Sequence, residues 1–104
     1  MLLVTTDTVE GKKLETLGLV SGSMVKSKNM FKDIGAGLKN VVGGELVSYT
    51  KMLNESRDEA TARMVKQAEA MGADAIVAVR FASSAVAQGA AEMLVTGTAV
   101  KFVD

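Results

Sequence analysis

The sequence contains no cysteine, no histidine and no tryptophan. Without imidazole and thiol groups the chain has no Ser-His or Cys-His nucleophile pair and no histidine general base. The same side chains are the ligands that zinc and other soft or borderline metals prefer. The commonest catalysts and soft-metal sites built from protein alone are therefore excluded, while a Ser-Lys or a carboxylate mechanism stays open.

An excess of one charge is also missing, because twelve basic residues balance twelve acidic ones and no run of lysine or arginine occurs. The sequence therefore indicates no nucleic-acid-binding surface. No apolar run approaches the roughly 18 residues of a membrane span. Residues 1–7 lack the basic region and the continuous apolar stretch of a signal peptide. We predict a cytoplasmic bacterial protein without a nucleic-acid partner and without a membrane span.

Large aromatic anchors are scarce, with three phenylalanines and one tyrosine, yet hydrophobic residues make up 48% of the chain. A chain of this length buries only about 65% of the surface that its unfolded form exposes, so its core is thin. The surplus of apolar side chains predicts a second buried surface, which we interpret as a subunit interface. A compact monomer with many alanines is the alternative.

A long uninterrupted segment determines the predicted fold class. Gly43 and Gly44 precede the 27 residues Glu45–Met71, which contain neither glycine nor proline, and Gly72 follows as the expected C′ residue. Apolar side chains at steps of three, four or seven predict one face of an amphipathic helix. That predicted stripe consists of Leu46, Tyr49, Leu53, Ala60, Met64, Ala68 and Met71.

Segments typical of strands lie on both sides of the helix. They are Leu2–Thr6, Leu14–Ser27, Ala75–Ala82 and Glu92–Val103. In the second segment, Gly18 and Gly22 indicate a bulge or a close backbone approach. Residues 83–91 are predicted to form the loop of an open hairpin, and Met30–Val42 a weak helix. The pattern predicts an α+β fold, in which the long helix covers one face of an antiparallel sheet.

Several short motifs occur in one order along nearly the whole chain. They are Val4-Thr5-Thr6, Gly22 to Ser27, Asp33-Ile34, Gly37-Leu38-Lys39-Asn40, Val42-Gly43-Gly44-Glu45, Tyr49-Thr50, Glu55-Ser56-Arg57, Arg63-Met64, Gly72-Ala73-Asp74-Ala75, Val79-Arg80-Phe81, Gly89-Ala90-Ala91-Glu92 and Gly97-Thr98-Ala99-Val100. Together they resemble the YbjQ-like family of uncharacterised bacterial proteins. Thr96 departs from the family, which often has an aromatic residue there.

The resemblance implies one YbjQ-like domain over residues 1–104, with a fold similar to the dodecin subunit. It also implies a homopentameric ring. The family carries the label "putative heavy-metal-binding domain" and no established activity.

That label can be weighed against the residues. Seven methionines are the remaining sulfur ligands, but they form no close M-x-M or M-x-x-M cluster. Met64 and Met71 lie on the predicted helical stripe, where methionine usually fills the core. We therefore expect no metal site in a single chain and no cofactor. Binding of a cation by a ring of glutamates on the axis of an oligomer stays open.

Arg80 interrupts an otherwise apolar strand and is the first candidate for a ligand contact. If it is buried, it needs a carboxylate partner, for which Glu45 and Glu92 are candidates. Arg80 then either holds an anion at an interface or forms a structural ion pair. Tyr49 carries a similar ambiguity, because core packing would also explain its place on the stripe. The predicted ligand-binding set is Arg80, Glu45, Tyr49, Arg57 and Lys26; no catalytic residue is predicted.

The residues favour a non-enzymatic homo-oligomeric module that acts in binding or as a scaffold. Its predicted partner is a copy of itself, and its small-molecule or ion ligand is unknown. One alternative is a small enzyme with a site between subunits, formed by Arg80, Lys26 and a glutamate. The other alternative is the metal-binding protein that the family label suggests.

Overall fold

The computed structural model describes residues 1–26, 47–87 and 90–104. Within these ranges the chain forms strand β1, strand β2, helix α1, strand β3 and strand β4, in that order. Their bounds are Leu2–Leu3, Lys13–Lys26, Val47–Ala70, Ala75–Ala87 and Ala90–Val103. The weak helix predicted over Met30–Val42 lies outside the described residues. Helix α1 ends where the sequence predicts, because Gly72 adopts a φ of 77° and closes it in the left-handed conformation.

The four described strands form one sheet in the order β1-β3-β4-β2. Strands β2 and β3 each pair with β4 in antiparallel orientation, whereas β1 pairs with β3 in parallel, with Leu2 opposite Ala75. The sheet is therefore mixed, and the prediction of an antiparallel sheet was wrong at this edge. The reason is topological: β1 lies beside a strand that the chain reaches only after β2 and α1, so no hairpin forces the two to run in opposite directions.

The hairpin between β3 and β4 is longer and tighter than predicted. Residues 83–87 continue β3, with Ser83 opposite Met93 and Ala87 opposite Ala90. The prediction of a loop over residues 83–91 was therefore wrong. Serine and alanine have low strand propensity, but the ladder is made by backbone groups, and pairing in a long hairpin overrides that preference.

Helix α1 packs on one face of the sheet through every fourth residue. These buried positions are Met52, Ser56, Ala60, Met64 and Ala68. The predicted stripe is confirmed at Ala60, Met64 and Ala68, which are buried, and at Leu53, which is partly buried against the same core. Met71 lies beyond the helix and is 38% exposed. Leu46 and the side chain of Tyr49 lie outside the described part. The fully buried residues are four apart and follow one ridge of the helix surface, and Leu53 and Val65 widen the contact beside that ridge.

The helix backbone lies directly against the sheet at Gly22. A Cβ atom there would lie 2.0 Å from the carbonyl oxygen of Ala60 and 2.7 Å from the amide nitrogen of Met64. At Gly18 the ladder shifts register, since Thr16 pairs with Val100 and Gly18 with Ala99. Both glycine predictions are thus confirmed: one marks a close backbone approach and the other a bulge.

The opposite face of the sheet is covered only in part by described residues. The segment before β2 and the ends of the strands form a small second core, with Ala75, Val77 and Val100 buried against Val4, Val9, Leu14 and Phe102. Further along β2, Leu19 is 76% exposed and Val25 is 52% exposed. Successive side chains of β2 point to opposite faces of the sheet, so Leu19 and Val25 lie opposite α1 while Val20 and Met24 face it.

Candidate functional site

Arg80 lies on the sheet face opposite α1, in register with Thr96. Its side chain is exposed, and Nη1 donates hydrogen bonds of 2.8 Å to the carbonyl oxygens of Thr5 and Val79. Within the described part of the chain it makes no ion pair, and Glu92 lies in register with Ser84 instead. Burial was the condition under which Arg80 would need a carboxylate partner, and that condition is not met, because water solvates the exposed guanidinium group.

The other predicted ligand-binding residues do not join Arg80 in the described structure. Arg57 lies on α1, on the other side of the sheet, and donates a hydrogen bond to Oδ1 of Asn54. Lys26 ends β2 opposite Ala91, and Tyr49 lies in the first turn of α1, but their side chains lie outside the described part. Glu45 lies outside the described residues altogether. A convergent site formed by this set therefore stays a prediction.

A pocket that sequence reasoning missed lies on the same sheet face, at the end nearer β1. We call it the N-terminal pocket. From the loop before β2 it is lined by Asp7, Thr8 and Lys12. From the sheet it is lined by Leu14, Thr16, Val77, Ala78, Thr98 and Val100. Its volume is about 420 Å³, and it opens to solvent.

The loop wall of the N-terminal pocket is fixed by backbone hydrogen bonds. The amide of Ala78 donates to the carbonyl of Thr6 at 2.8 Å, and the amide of Lys12 donates to the carbonyl of Val9 at 3.0 Å. The Thr6 hydroxyl donates to the Thr8 carbonyl at 2.7 Å. A turn at Gly11, with a φ of 76°, returns the chain to β2. The side chains that line the pocket are therefore carried on a positioned loop.

Ala78 has a strained backbone and lines the pocket. Its φ is 54°, in the left-handed region, which costs a non-glycine residue about 1 kcal/mol. It lies in a bulge of β3, because the ladder passes from Val77 opposite Thr98 directly to Arg80 opposite Thr96. Such strain persists where the surrounding structure over-determines it, and it is frequent at ligand sites.

The polar groups of the pocket have few protein partners. The Lys12 ammonium lies 5.2 Å from the centre of the Phe102 ring, a cation–π distance. Both ion pairs of the described residues lie on α1, so Asp7 and Lys12 are not paired with each other. The hydroxyls of Thr8, Thr16 and Thr98 bond to no other residue in the described ranges. These groups are free to bind a ligand.

The arrangement does not suit a metal ion. Asp7 supplies the one carboxylate of the pocket, whereas hard cations take several oxygen ligands. Elsewhere in the described ranges, no three histidine, cysteine or acidic side chains come together as a possible metal site. The pocket combines one positive group, one negative group, hydroxyls and an apolar floor, which is the composition of a small-molecule site.

The whole chain can now be compared with known proteins. A family model described as "Putative heavy-metal-binding" matches residues 1–103. The chain belongs to the YbjQ family. The order of short motifs along the sequence therefore identified the family correctly.

Close relatives cover the full length of the chain. A UPF0145 protein of Clostridium novyi is 54% identical over 99% of this chain and 100% of its own length. A UPF0145 protein of Alkaliphilus metalliredigens is 57% identical with the same coverage. Another, from Methanosarcina acetivorans, is 54% identical over 100% of this chain and 99% of its own. Methanosarcina is an archaeon, so the prediction of a bacterial family holds only in part.

A crystal structure supports the fold of this YbjQ-family chain. It is that of a protein of unknown function from the DUF74 family of Pediococcus pentosaceus. The TM-score is 0.70, with 99% of this chain and 98% of that chain covered, at 14% sequence identity. At this identity the likeness concerns fold alone, and it agrees with the helix and the four-strand sheet of the described residues. In the described residues no helix has the length and apolar character needed to cross a bilayer.

Proposed function

We propose that this YbjQ-family protein is a non-enzymatic homo-oligomeric module that binds a small ligand or serves as a scaffold. The observation that carries the proposal is the open half of the sheet face opposite α1. Leu19 and Val25 project from it with most of their surface in water. Both are odd-numbered residues of β2 beyond the bulge and lie on one side of the strand. Ser21 and Ser23 lie between them on that side, so the surface combines apolar and hydroxyl side chains. We assign it to contact with a second copy of the chain, which would remove Leu19 and Val25 from water.

The shape of the molecule supports self-association. Its radius of gyration is 16.8 Å, whereas a compact chain of this length has about 13 Å. Its extents are 56 × 28 × 17 Å, so it is a thin slab. Within the described residues one helix covers one side of the sheet, and we assign the cover of the other side to a second copy.

The family resemblance contributes the finer features of the proposal. These are a homopentameric ring, a dodecin-like subunit and one domain over residues 1–104. A cytoplasmic location, predicted from the sequence, also belongs here. The proposal gives no role to heavy metal despite the family description, because the chain contains no cysteine or histidine. It favours binding over catalysis, since the described contacts of Arg80 are to backbone carbonyls and to no base or nucleophile.

Native mass spectrometry of untagged protein tests assembly and metal content together. We expect one complex of five chains of 10.9 kDa without stoichiometric zinc or copper. The double variant Leu19→Lys/Val25→Lys should shift the population to monomer, because buried unpaired charges would oppose the interface.

The matched control is Leu2→Lys/Met71→Lys, which adds the same two charges at exposed apolar residues outside the half of the face that carries Leu19 and Val25. It should keep the wild-type mass. A wild-type monomer at micromolar concentration would refute the assembly, and stoichiometric zinc or copper would refute the rejection of metal.

A further inference from the structure

We propose that the N-terminal pocket binds a small zwitterion with a short apolar body, of the free amino acid class. The inference deepens the binding role proposed above and rests on it, but it does not depend on the number of subunits. The size of the pocket is the first argument. A volume of about 420 Å³ lies at the lower end of the range of small-molecule sites, about 300–1,000 Å³.

The charges of the pocket select the ends of the ligand. Lys12 and Asp7 line one cavity without pairing, so each has capacity for a group of opposite sign. A ligand carboxylate would accept a charge-assisted hydrogen bond from Lys12, and a ligand ammonium would donate one to Asp7. A simple anion would meet the Asp7 carboxylate in the same pocket and a simple cation would meet Lys12. A ligand that carries both charges avoids both repulsions.

The floor of the pocket selects the body of the ligand. Val77 and Val100 are buried, and Leu14 and Ala78 lie beside them, so the base of the cavity is apolar. A short aliphatic chain would bury apolar surface there, whereas a sugar would leave hydroxyls without partners on this floor. The Thr16 and Thr98 hydroxyls lie among these apolar groups and can bond to the polar end of the ligand.

The site is also held in position before a ligand arrives. The loop that carries Asp7 is bonded to β3, since the Ala78 amide donates to the Thr6 carbonyl. Ala78 keeps its strained conformation to make that bond. Positioning of this kind lowers the ordering cost of binding, and it gives a reason for the strain.

Titration with L-leucine, followed by two-dimensional amide NMR of the intact wild-type protein, tests the proposal. We expect saturable shifts at Lys12, Ala78 and Thr98, with a dissociation constant near or below roughly 1 mM. Three probes each lack one feature: 4-methylpentanoate lacks the ammonium, 3-methylbutylamine lacks the carboxylate and glycine lacks the apolar body. Each should bind at least about tenfold more weakly than leucine. For the first two probes the reason is the loss of one charged hydrogen bond, and for glycine it is the loss of apolar burial.

Two variants connect the binding to the pocket. Lys12→Gln and Asp7→Asn should each weaken leucine about tenfold. The matched controls Lys13→Gln and Glu10→Gln change the same charges at neighbouring residues that do not line the pocket, and they should bind like wild type. The amide spectrum of each variant shows whether it is folded.

Three results would overturn the proposal: no saturable shift with leucine up to roughly 20 mM, equal affinity for 4-methylpentanoate, or equal losses in the control variants. If leucine fails while native mass spectrometry shows the ring, the pocket assignment is wrong and the proposed assembly stands. If leucine binds and the protein is a monomer, the pocket assignment stands and the proposed assembly is wrong.

Discussion

Ala78 shows how one residue carries strain that its neighbours impose. Its amide bonds to Thr6 and the next amide, that of Val79, bonds to Val4 at 3.0 Å. Both bonds require the bulge that places Ala78 at a φ of 54°. Glycine would adopt this conformation without a steric cost, but the sequence has alanine there.

Replacing Ala78 by glycine should stabilise the protein. Relief of the left-handed strain outweighs the extra entropy of the unfolded chain, and we expect the free energy of unfolding to rise by about 0.5–1 kcal/mol. Chemical denaturation measures it. Ala82→Gly, in an ordinary conformation of the same strand, should lower that free energy by about 0.5–1 kcal/mol. A loss of stability in both variants would show that Ala78 is not strained.

The solvent exposure of Arg80 depends on which part of the sheet face is covered. A charged residue within an apolar strand would need a carboxylate partner if it were buried, but the guanidinium group of Arg80 is exposed and donates to the carbonyls of Thr5 and Val79. The second core covers Ala75 and Val77 on the face opposite α1 but does not extend to Arg80, whose side chain lies in water. The local sequence contains no information on which face of the sheet is covered.

Strand β2 packs directly against helix α1 around Gly22. Gly22 lets the helix backbone approach, and on either side of it α1 covers the free edge of β2. The Ser21 amide donates to Oε1 of Gln67 at 2.8 Å, and Nη1 of Arg63 donates to the Ser23 carbonyl at 2.6 Å. These side chains occupy edge groups that could otherwise pair with another strand.

Gly22→Ala should separate the two elements. The new methyl group would overlap backbone atoms of Ala60 and Met64, which cannot rotate away, so the helix must shift. We expect the free energy of unfolding to fall by about 2–3 kcal/mol. The gain from replacing glycine in a strand, about 0.5–1 kcal/mol, is too small to offset this loss.

Urea denaturation measures the effect. Ser21→Ala, one residue earlier on the exposed face, is the control and should change stability by less than about 0.5 kcal/mol. Equal stability of Gly22→Ala and wild type would contradict the close approach.

At the scale of the whole molecule, the fold leaves two surfaces of different character opposite α1. One end is closed by the loop before β2 and contains the N-terminal pocket. The other end exposes Leu19 and Val25. The first surface has the features of a ligand site and the second those of an interface, so both parts of the proposed function fall on the side of the sheet that α1 does not cover.

Self-association through the open end should make thermal stability depend on protein concentration. Assembly stabilises the folded chain by mass action, so the melting temperature should rise over about a hundredfold increase in concentration. Calorimetry or circular dichroism measures it. In Leu19→Lys/Val25→Lys the dependence should disappear. A melting temperature that is independent of concentration in wild type as well would contradict assembly linked to folding.

Features that depend on neighbours along the chain could be predicted from the sequence. Apolar spacing predicted α1, Gly72 predicted its end, and Gly18 and Gly22 predicted a bulge and a close approach. The order of motifs also identified the family. Such features follow from periodicity and backbone freedom, which act over a few residues.

Tertiary structure alone decided what depends on distant segments. The parallel pairing of Leu2 with Ala75, the continuation of β3 through Ser83 and Ser84, and the solvent exposure of Arg80 all depend on which strands become neighbours. The N-terminal pocket brings Asp7 and Lys12 beside Val77, Thr98 and Val100, about 70–90 residues apart in the sequence. Sequence periodicity cannot predict that these residues lie side by side, because they come together only when the strands pair in the folded sheet.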